Sequence, residues 1–463
     1  MSDFDLVVRG NVVDPDGIAV DAWLGVREGR IAERGQCQGG AAPAGRQEVD
    51  ARGLWILPGV VDGQVHSGSQ ANQEGLGHAS RAAAAGGITV MVDMPYDDPH
   101  PVASRKELDE KIAEVRRDCH VDVALYATVT EKYGVDAIDA MIEGGACAFK
   151  FSTFEATPGR FPRVEEDVLY DAFRRIAPSG LACGVHNQMQ ELTRKSVARH
   201  ISEGDIGWDA FMRAHTPLIE NLATTLIYEL GAETGARAHA VHVSTSRGFE
   251  IFKMYRRAGH LVSIETCVQY LTLNHDEHSR RLGAKTKHYP PIRTKAEAEL
   301  LWQHIASGDC TFVSSDHVSW GLERKSDPNI FKNASGGPGL ETLLPAFWTG
   351  CADRGLPPTV VAQQLCRNPA RHFLLDDRKG ALQIGHDADM VLLKPGRYTF
   401  DPRNSLSAVQ WSSFEGMSFA VSVEATYCRG TLVFERADST APQIRNMPGY
   451  GSFLAPRTTE TAS

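Results

Sequence analysis

From residue 56 onward the chain alternates between short apolar, β-branched runs and longer stretches of helical period. Strands are expected at 56–66, 88–94, 121–128, 146–151, 181–186, 238–244, 261–266 and 311–316, eight in all. Helical stretches between them include 103–117, 165–177, 218–234, 247–258 and 295–307, several opened by Ser, Thr or Pro. Eight strand–helix units over about 260 residues predict a (β/α)8 barrel, whose chemistry sits at the C-terminal ends of the strands. Spacing alone also leaves a doubly wound open sheet as an alternative. Residues 1–55 read differently. Phe4–Gly10 is a strand and turn, and Ala22–Val26 with Ile31–Ala32 form a hairpin around Glu28-Gly29-Arg30. So few strands cannot cover a core. The missing half is expected near the other terminus, where Gly380–Leu393 and Thr426–Glu435 each read as a strand. The expected organisation is therefore a small β-sandwich from 1–55 and 385–440, a catalytic barrel over 56–384, and a surface arm over 441–463 that lacks apolar periodicity.

Polar residues interrupt this pattern at particular places. Every second side chain of a strand shares a face, so Asp62, Gln64 and His66 point the same way. A carboxylate, an amide and an imidazole on one face form either a metal wall or a patch of polar surface. Later strands bear on that choice. Lys150 lies in Ala-Cys-Ala-Phe-Lys-Phe-Ser, His186 ends Ala-Cys-Gly-Val-His, His242 lies in Ala-Val-His-Val-Ser, and Asp316 ends Thr-Phe-Val-Ser-Ser-Asp. Singly, a histidine can be a satisfied polar residue, a lysine can snorkel and an aspartate can cap a helix. Five strand ends carrying such residues favour a metal site. Lys150 is the odd member, because a protonated amine cannot bind a cation. In an apolar strand it loses its proton more easily, and could then combine with carbon dioxide to give a carbamate that bridges two metals.

Composition narrows the function classes. The 463 residues, 42% of them hydrophobic, can bury an enzyme-sized core. Net charge is −10, from 58 acids against 48 Lys+Arg spread without a basic block, which argues against a nucleic-acid partner. No membrane-length apolar run and no basic-apolar leader are present, so a cytoplasmic, non-membrane protein is expected. The nine cysteines are scattered without a Cys-x-x-Cys pair, and read as small buried hydrophobes rather than a disulfide framework or thiolate zinc site.

The motifs together resemble a family. Leu-Pro-Gly-Val-Val-Asp-Gly-Gln-Val-His, Gly-Gly-Ile-Thr-Val-Met-Val-Asp-Met-Pro, Phe-Lys-Phe, Val-His-Asn-Gln, Val-His-Val-Ser-Thr, Glu-Thr-Cys-Val-Gln-Tyr-Leu, Pro-Pro-Ile-Arg, Ser-Ser-Asp-His and Gly-Pro-Gly-Leu-Glu-Thr follow in the order of the cyclic amidohydrolases. That group comprises hydantoinases, dihydropyrimidinases, allantoinases and dihydroorotases. Val121–Tyr126 and Gln269-Tyr270-Leu271 lie closer to the L-hydantoinase and allantoinase branches. The resemblance implies one or two divalent metals, zinc in the first instance, with Lys150 carboxylated and bridging. It implies His66 and Asp316 as ligands of one metal, and His186 and His242 as ligands of the other. Asp316 would also carry the proton during ring-opening hydrolysis. Tyr289 and Ser335 match positions whose backbone contacts the substrate amide, while the loops Ser67–Asn72 and Thr153–Phe161 would select its substituent. A homotetramer or homodimer is implied as well. Gln64 departs from the pattern, standing where the family usually has histidine, and an amide oxygen is a poorer zinc ligand than imidazole. Asn187-Gln188 and Gln269 are further departures near the rim. Dihydroorotase or dihydropyrimidinase chemistry stays open, as does a non-catalytic scaffold on the same fold. Lys150 and the other retained ligands oppose the scaffold, and Gln64 favours it.

Overall fold

The computed structural model describes residues 4–37, 42–69, 73–156, 161–436 and 443–457. Four strands open the chain: β1 (Phe4–Asp14), β2 (Gly17–Arg27), β3 (Arg30–Gln36) and β4 (Gly45–Pro58). β2 and β3 make the expected hairpin. Its turn uses positive φ at Glu28 (50°) and Gly29 (76°), the twist that two-residue hairpins require.

The barrel strands follow. They are β5 (Val60–His66), β6 (Ile88–Asp93), β7 (Asp122–Ala127), β8 (Ala148–Ser152), β9 (Ala182–His186), β10 (Arg237–Ala240), β11 (Val262–Cys267), β12 (Phe312–Ser314) and β13 (His317–Val318). Neighbours pair in sequence order, and β13 returns to β5 through His317↔Val65 and Val318↔His66. The sheet therefore closes, which removes the open doubly wound alternative. β12 and β13 are two halves of the eighth strand, interrupted at Ser315 and Asp316. Helices Arg105–Asp118, Glu166–Ile176, Pro217–Thr234, Ser246–Arg257 and Lys295–Ala306 start and end within two residues of expectation. Thr245 and Thr294 cap two of them, accepting from the amides of Gly248 and Glu297.

The single strand expected at 56–66 is two. β4 ends at Pro58 in the terminal sheet and β5 begins at Val60 in the barrel. Gly59 makes the passage, because a Cβ there would lie 2.0 Å from Thr89 Oγ1.

The C-terminal strands β14 (Met390–Thr399), β15 (Ser418–Cys428), β16 (Thr431–Glu435) and β17 (Gln443–Ile444) join the N-terminal ones in one eight-stranded sheet, with β14 beside β4. It curls over Leu6, Val8, Leu24, Ile31, Ile56 and Leu392. Both chain ends thus build the second domain. The described part of the C-terminal arm lies against the barrel. Gly451 and Leu454 donate to Cys119 and Val123 at 2.8 Å, and Leu454 is buried with Val61, Val90, Tyr126 and Phe312 of the barrel interior. Backbone pairing holds this segment, which explains its lack of an apolar period. Residues 458–463 lie outside the described residues. All nine cysteines are buried. Among the described residues no helix is long and apolar enough to cross a membrane.

Candidate active site

The interruption of the eighth strand builds one wall. Asp62, fully buried on β5, accepts from the backbone amide of Ser315 (3.0 Å) and from its hydroxyl. So anchored, the chain turns through Asp316 at φ 47°, a left-handed conformation of the kind concentrated at functional sites. Asp316 Oδ1 receives Gln64 Nε2 at 3.0 Å and lies 3.5 Å from His66 Nε2. His66 Nδ1 meets Ser69 Oγ at 2.8 Å. Gln64 Oε1 is left buried without a hydrogen-bond partner.

The opposite wall is the pair His186 and His242, whose Nδ1 and Nε2 are 2.9 Å apart. Their tautomers follow from a chain of neighbours. Thr193 Oγ1 donates to the carbonyl of Met189 (2.7 Å), so it accepts from Gln188 Nε2 (3.1 Å). That leaves Gln188 Oε1 to accept from His186 Nε2–H at 3.3 Å, and His186 Nδ1 carries the lone pair. Burial holds His186 down to about 3 and His242 well below the usual imidazole range. Both are neutral, as ligands must be. His242 also sits at positive φ (42°), its amide held by Glu265 Oε1 at 3.2 Å.

Lys150 lies between the walls on β8. It is 0% exposed, its Nζ has no hydrogen-bond partner, and the amine is 5.4 Å from the Phe161 ring centre. Burial lowers its pKa to about 8 and raises that of Asp316 to about 8, both toward their neutral forms. Neutral imidazoles, a carboxylate, an orphaned amide oxygen and an orphaned amine facing one space form a donor set that fits a divalent metal.

That space is a cavity of about 250 Å3, lined by all six expected ligand residues and by Tyr289 and Ser335. Tyr289 stacks on His215 at 5.0 Å. The Ser335 carbonyl accepts from Trp320 Nε1 at 2.6 Å and keeps a second lone pair. Phe161 packs against Tyr96 (4.0 Å) and His186 (5.9 Å), roofing the site. Of the two selecting loops, residues 70–72 and 157–160 lie outside the described residues. Sequence reasoning gave no role to Glu265, which steadies His242, or to Trp320, Arg324 and Lys332 at the cavity wall. The only signal for Glu265 was a carboxylate inside an apolar strand.

The model of the amidohydrolase family matches residues 55–433. The chain belongs to the amidohydrolase family. It is 34% identical over 441 residues to an allantoinase of Rubrobacter xylanophilus, covering 94% of this chain and 95% of that one. It is 29% identical over 467 residues to the L-hydantoinase of Paenarthrobacter aurescens, covering 99% and 100%. Among solved structures, the L-hydantoinase (dihydropyrimidinase) of Arthrobacter aurescens superposes with a TM-score of 0.91 at 28% identity, covering 98% of this chain and all of that one. Family and barrel-plus-sandwich fold agree with the expectation from sequence, and the chain is an enzyme of the cyclic amidohydrolase kind.

Proposed function

We infer that the protein is a metal-dependent hydrolase that opens a cyclic amide, imide or ureide ring at a C–N bond, as the names of its allantoinase and L-hydantoinase relatives suggest for them. The observation that carries this reading is the meeting of Gln64, His66, Lys150, His186, His242 and Asp316, from or just beyond five barrel strands, in one cavity. His66 and Asp316, with Gln64 beside them, would hold one zinc or similar ion, and His186 with His242 a second. Lys150, as its carbamate, would join the two. When bound, such an ion lowers the pKa of a water and polarises the scissile carbonyl.

The rest falls to the chain's own groups. Asp316, beside that position, takes a proton from the attacking water and returns it to the departing ring nitrogen. Tyr289 and Ser335 orient the ring through their backbone. Phe161 keeps bulk water out, which strengthens every polar contact inside. The scaffold reading rests on Gln64 alone and leaves the unpartnered amine of Lys150 unexplained.

Metal analysis of the purified protein, with hydantoins, allantoin, dihydrouracil, dihydroorotate and cyclic imides assayed side by side, tests the proposal. Bound metal and turnover of at least one ring are expected. Metal-free, inert protein would leave the scaffold.

A further inference from the structure

Beyond the ring-opening chemistry, the cavity has a charge bias of its own. Lys150, Lys287, Arg324 and Lys332 line it, and Asp316 is the one carboxylate among the described lining residues. Over the whole chain the balance is reversed, at −10. Three of those basic side chains, Lys287, Arg324 and Lys332, face the cavity from segments that have no part in the ligand set. The Arg324 guanidinium lies 4.7 Å over the Trp320 ring. Trp320 is fixed at both ends, its Nε1–H donating to the Ser335 carbonyl (2.6 Å) and its backbone carbonyl accepting from Trp411 Nε1 (2.7 Å). A guanidinium held over an indole face still has N–H donors to offer a planar anion.

Among the described residues, neither Arg324 nor Lys332 has a side-chain ion pair, whereas exposed arginines such as Arg105, Arg354 and Arg403 are clamped to carboxylates. Lys287 is 1% exposed, and its amine donates to the carbonyls of Phe331 (3.2 Å) and Asn333 (2.5 Å) and lies over the rings of Phe211 and Tyr289, with no carboxylate partner among the described residues. Lys325, buried behind it, likewise donates to carbonyls, those of Lys287 (3.1 Å) and Ala334 (2.9 Å), and lies over the Trp411 ring. Burial pushes the Lys287 amine down to about 7 and that of Lys325 well below the usual lysine range, and an arriving anion would favour their charged forms. A cleft lined by one sign of charge also concentrates ligands of the other sign.

We propose that Lys287, Arg324 and Lys332 form an anion subsite that selects cyclic ureides whose ring substituent ends in a carboxylate. The assignment rests on the ring-opening reading of the same cavity, and refines it. A cavity of about 250 Å3 suits a five- or six-membered ring with a short acidic arm rather than a bulky phosphorylated group. Arg324 would grip the carboxylate edge-on. Lys332 would neutralise what remains of its charge, and Lys287 would donate an N–H to it.

The test compares 5-(carboxymethyl)hydantoin with its isosteric amide, 5-(carbamoylmethyl)hydantoin, on the metal-loaded enzyme. The acid should be preferred by about tenfold or more in kcat/KM at low salt, with most of the difference in KM, and added salt should shrink the preference. Arg324→Gln and Lys332→Gln should each lower the acid-to-amide ratio about threefold to fivefold, and together about tenfold. Arg324→Lys should keep less of the preference than the parent and more than Arg324→Gln. Calorimetric binding of the acid separates this proposal from the catalytic one. If neither compound is opened but the acid binds and the double variant loses that binding, the subsite stands and the hydrolase reading falls. If the amide is opened as well as the acid, and the double variant leaves their ratio unchanged, the subsite is overturned and the hydrolase stands. An acid neither opened nor bound overturns the subsite too.

Discussion

Two lysines are buried at opposite ends of the same barrel, and their surroundings make them opposites. At the catalytic rim Lys150 has no hydrogen-bond partner, and burial drives its pKa down to about 8. At the floor Lys379, equally inaccessible, touches Asp122 (2.8 Å), Asp387 (2.9 Å) and Asp389 (2.8 Å), and those carboxylates hold its pKa well above the usual lysine value against the same burial. The floor network joins distant parts of the chain. Asp122 opens β7, Asp387 and Asp389 lead into β14, and Arg429 from the turn after β15 also grips Asp122, which accepts the Ser452 amide of the C-terminal segment. Burial alone does not decide what a lysine does. With carboxylates converging on it the residue is a fixed cation that ties domains together. Without them it is a poised amine with a much larger share of the reactive free base at neutral pH.

One substitution made at both places gives the largest contrast. Lys379→Met should cost about 3–5 kcal/mol, because it strands buried carboxylates that, among the described residues, Arg429 at Asp122 and a distant Arg30 at Asp387 are then left to oppose. Denaturant unfolding measures it, and a cost below about 1 kcal/mol would dissolve the comparison. Lys150→Met should leave the metal-free protein within about 1 kcal/mol of the parent, or above it, since no bond is lost and an unpaired buried amine is removed. The pH dependence adds a sign. Lys150 has a lowered folded pKa, so between about 8 and its ordinary 10.5 the unfolded chain holds a proton that the folded one has released. That residue's contribution therefore rises with pH across this window, and the rise should vanish in Lys150→Met. Lys150→Ala should lose turnover and regain part of it when short-chain carboxylic acids are added. Clear density for an unmodified amine in the metal-loaded protein would count against the carbamate.

Next in size is Asp316→Asn, which keeps the turn but abolishes the proton carrier. A loss of at least about 10²-fold in kcat is expected, or about 2.7 kcal/mol in the barrier, with the melting curve little changed. Near-parental kcat would remove Asp316 from the mechanism.

The rim was legible in sequence because its chemistry hangs on strand ends. An apolar run that finishes in His66, His186 or Asp316 announces both the strand and the residue it delivers. The pairing of the two termini was legible for a different reason, that β1 to β3 cannot cover a core unaided. The floor was much less so. Lys379 stands in a turn-rich stretch with no period, and its partners lie 8 to 257 positions away. The C-terminal segment docks through main-chain bonds, and Gly451 approaches so closely that a Cβ would lie 2.1 Å from the Val121 carbonyl. Such contacts leave no side-chain pattern to read. Arg324 and Lys332 were hidden likewise, since a charge in an aperiodic loop carries no sign of which way it faces.

The smallest expected effect concerns the rim alone, at Gln64. Gln64 donates its amide N–H to Asp316 Oδ1, so its oxygen is turned away from that carboxylate and left unpartnered. As arranged, Gln64 occupies one oxygen of a neighbouring ligand, and an amide oxygen adds little affinity of its own. His66, Asp316 and the Lys150 carbamate would still give the first position three ligands, enough for a catalytic ion with an open place. His186, His242 and the same carbamate complete the second. The second ion should therefore be held tightly and the first weakly, with activity falling under mild chelation before half of the total metal is lost. Gln64→His should tighten the first position by about tenfold, roughly 1.4 kcal/mol, since imidazole is the better zinc ligand. Metal content against free chelator, read by elemental analysis with no reference to turnover, shows the two steps directly. Two equally tight ions in the parent, or a chelator curve that Gln64→His leaves in place, would mean that Gln64 does not set the occupancy of the rim.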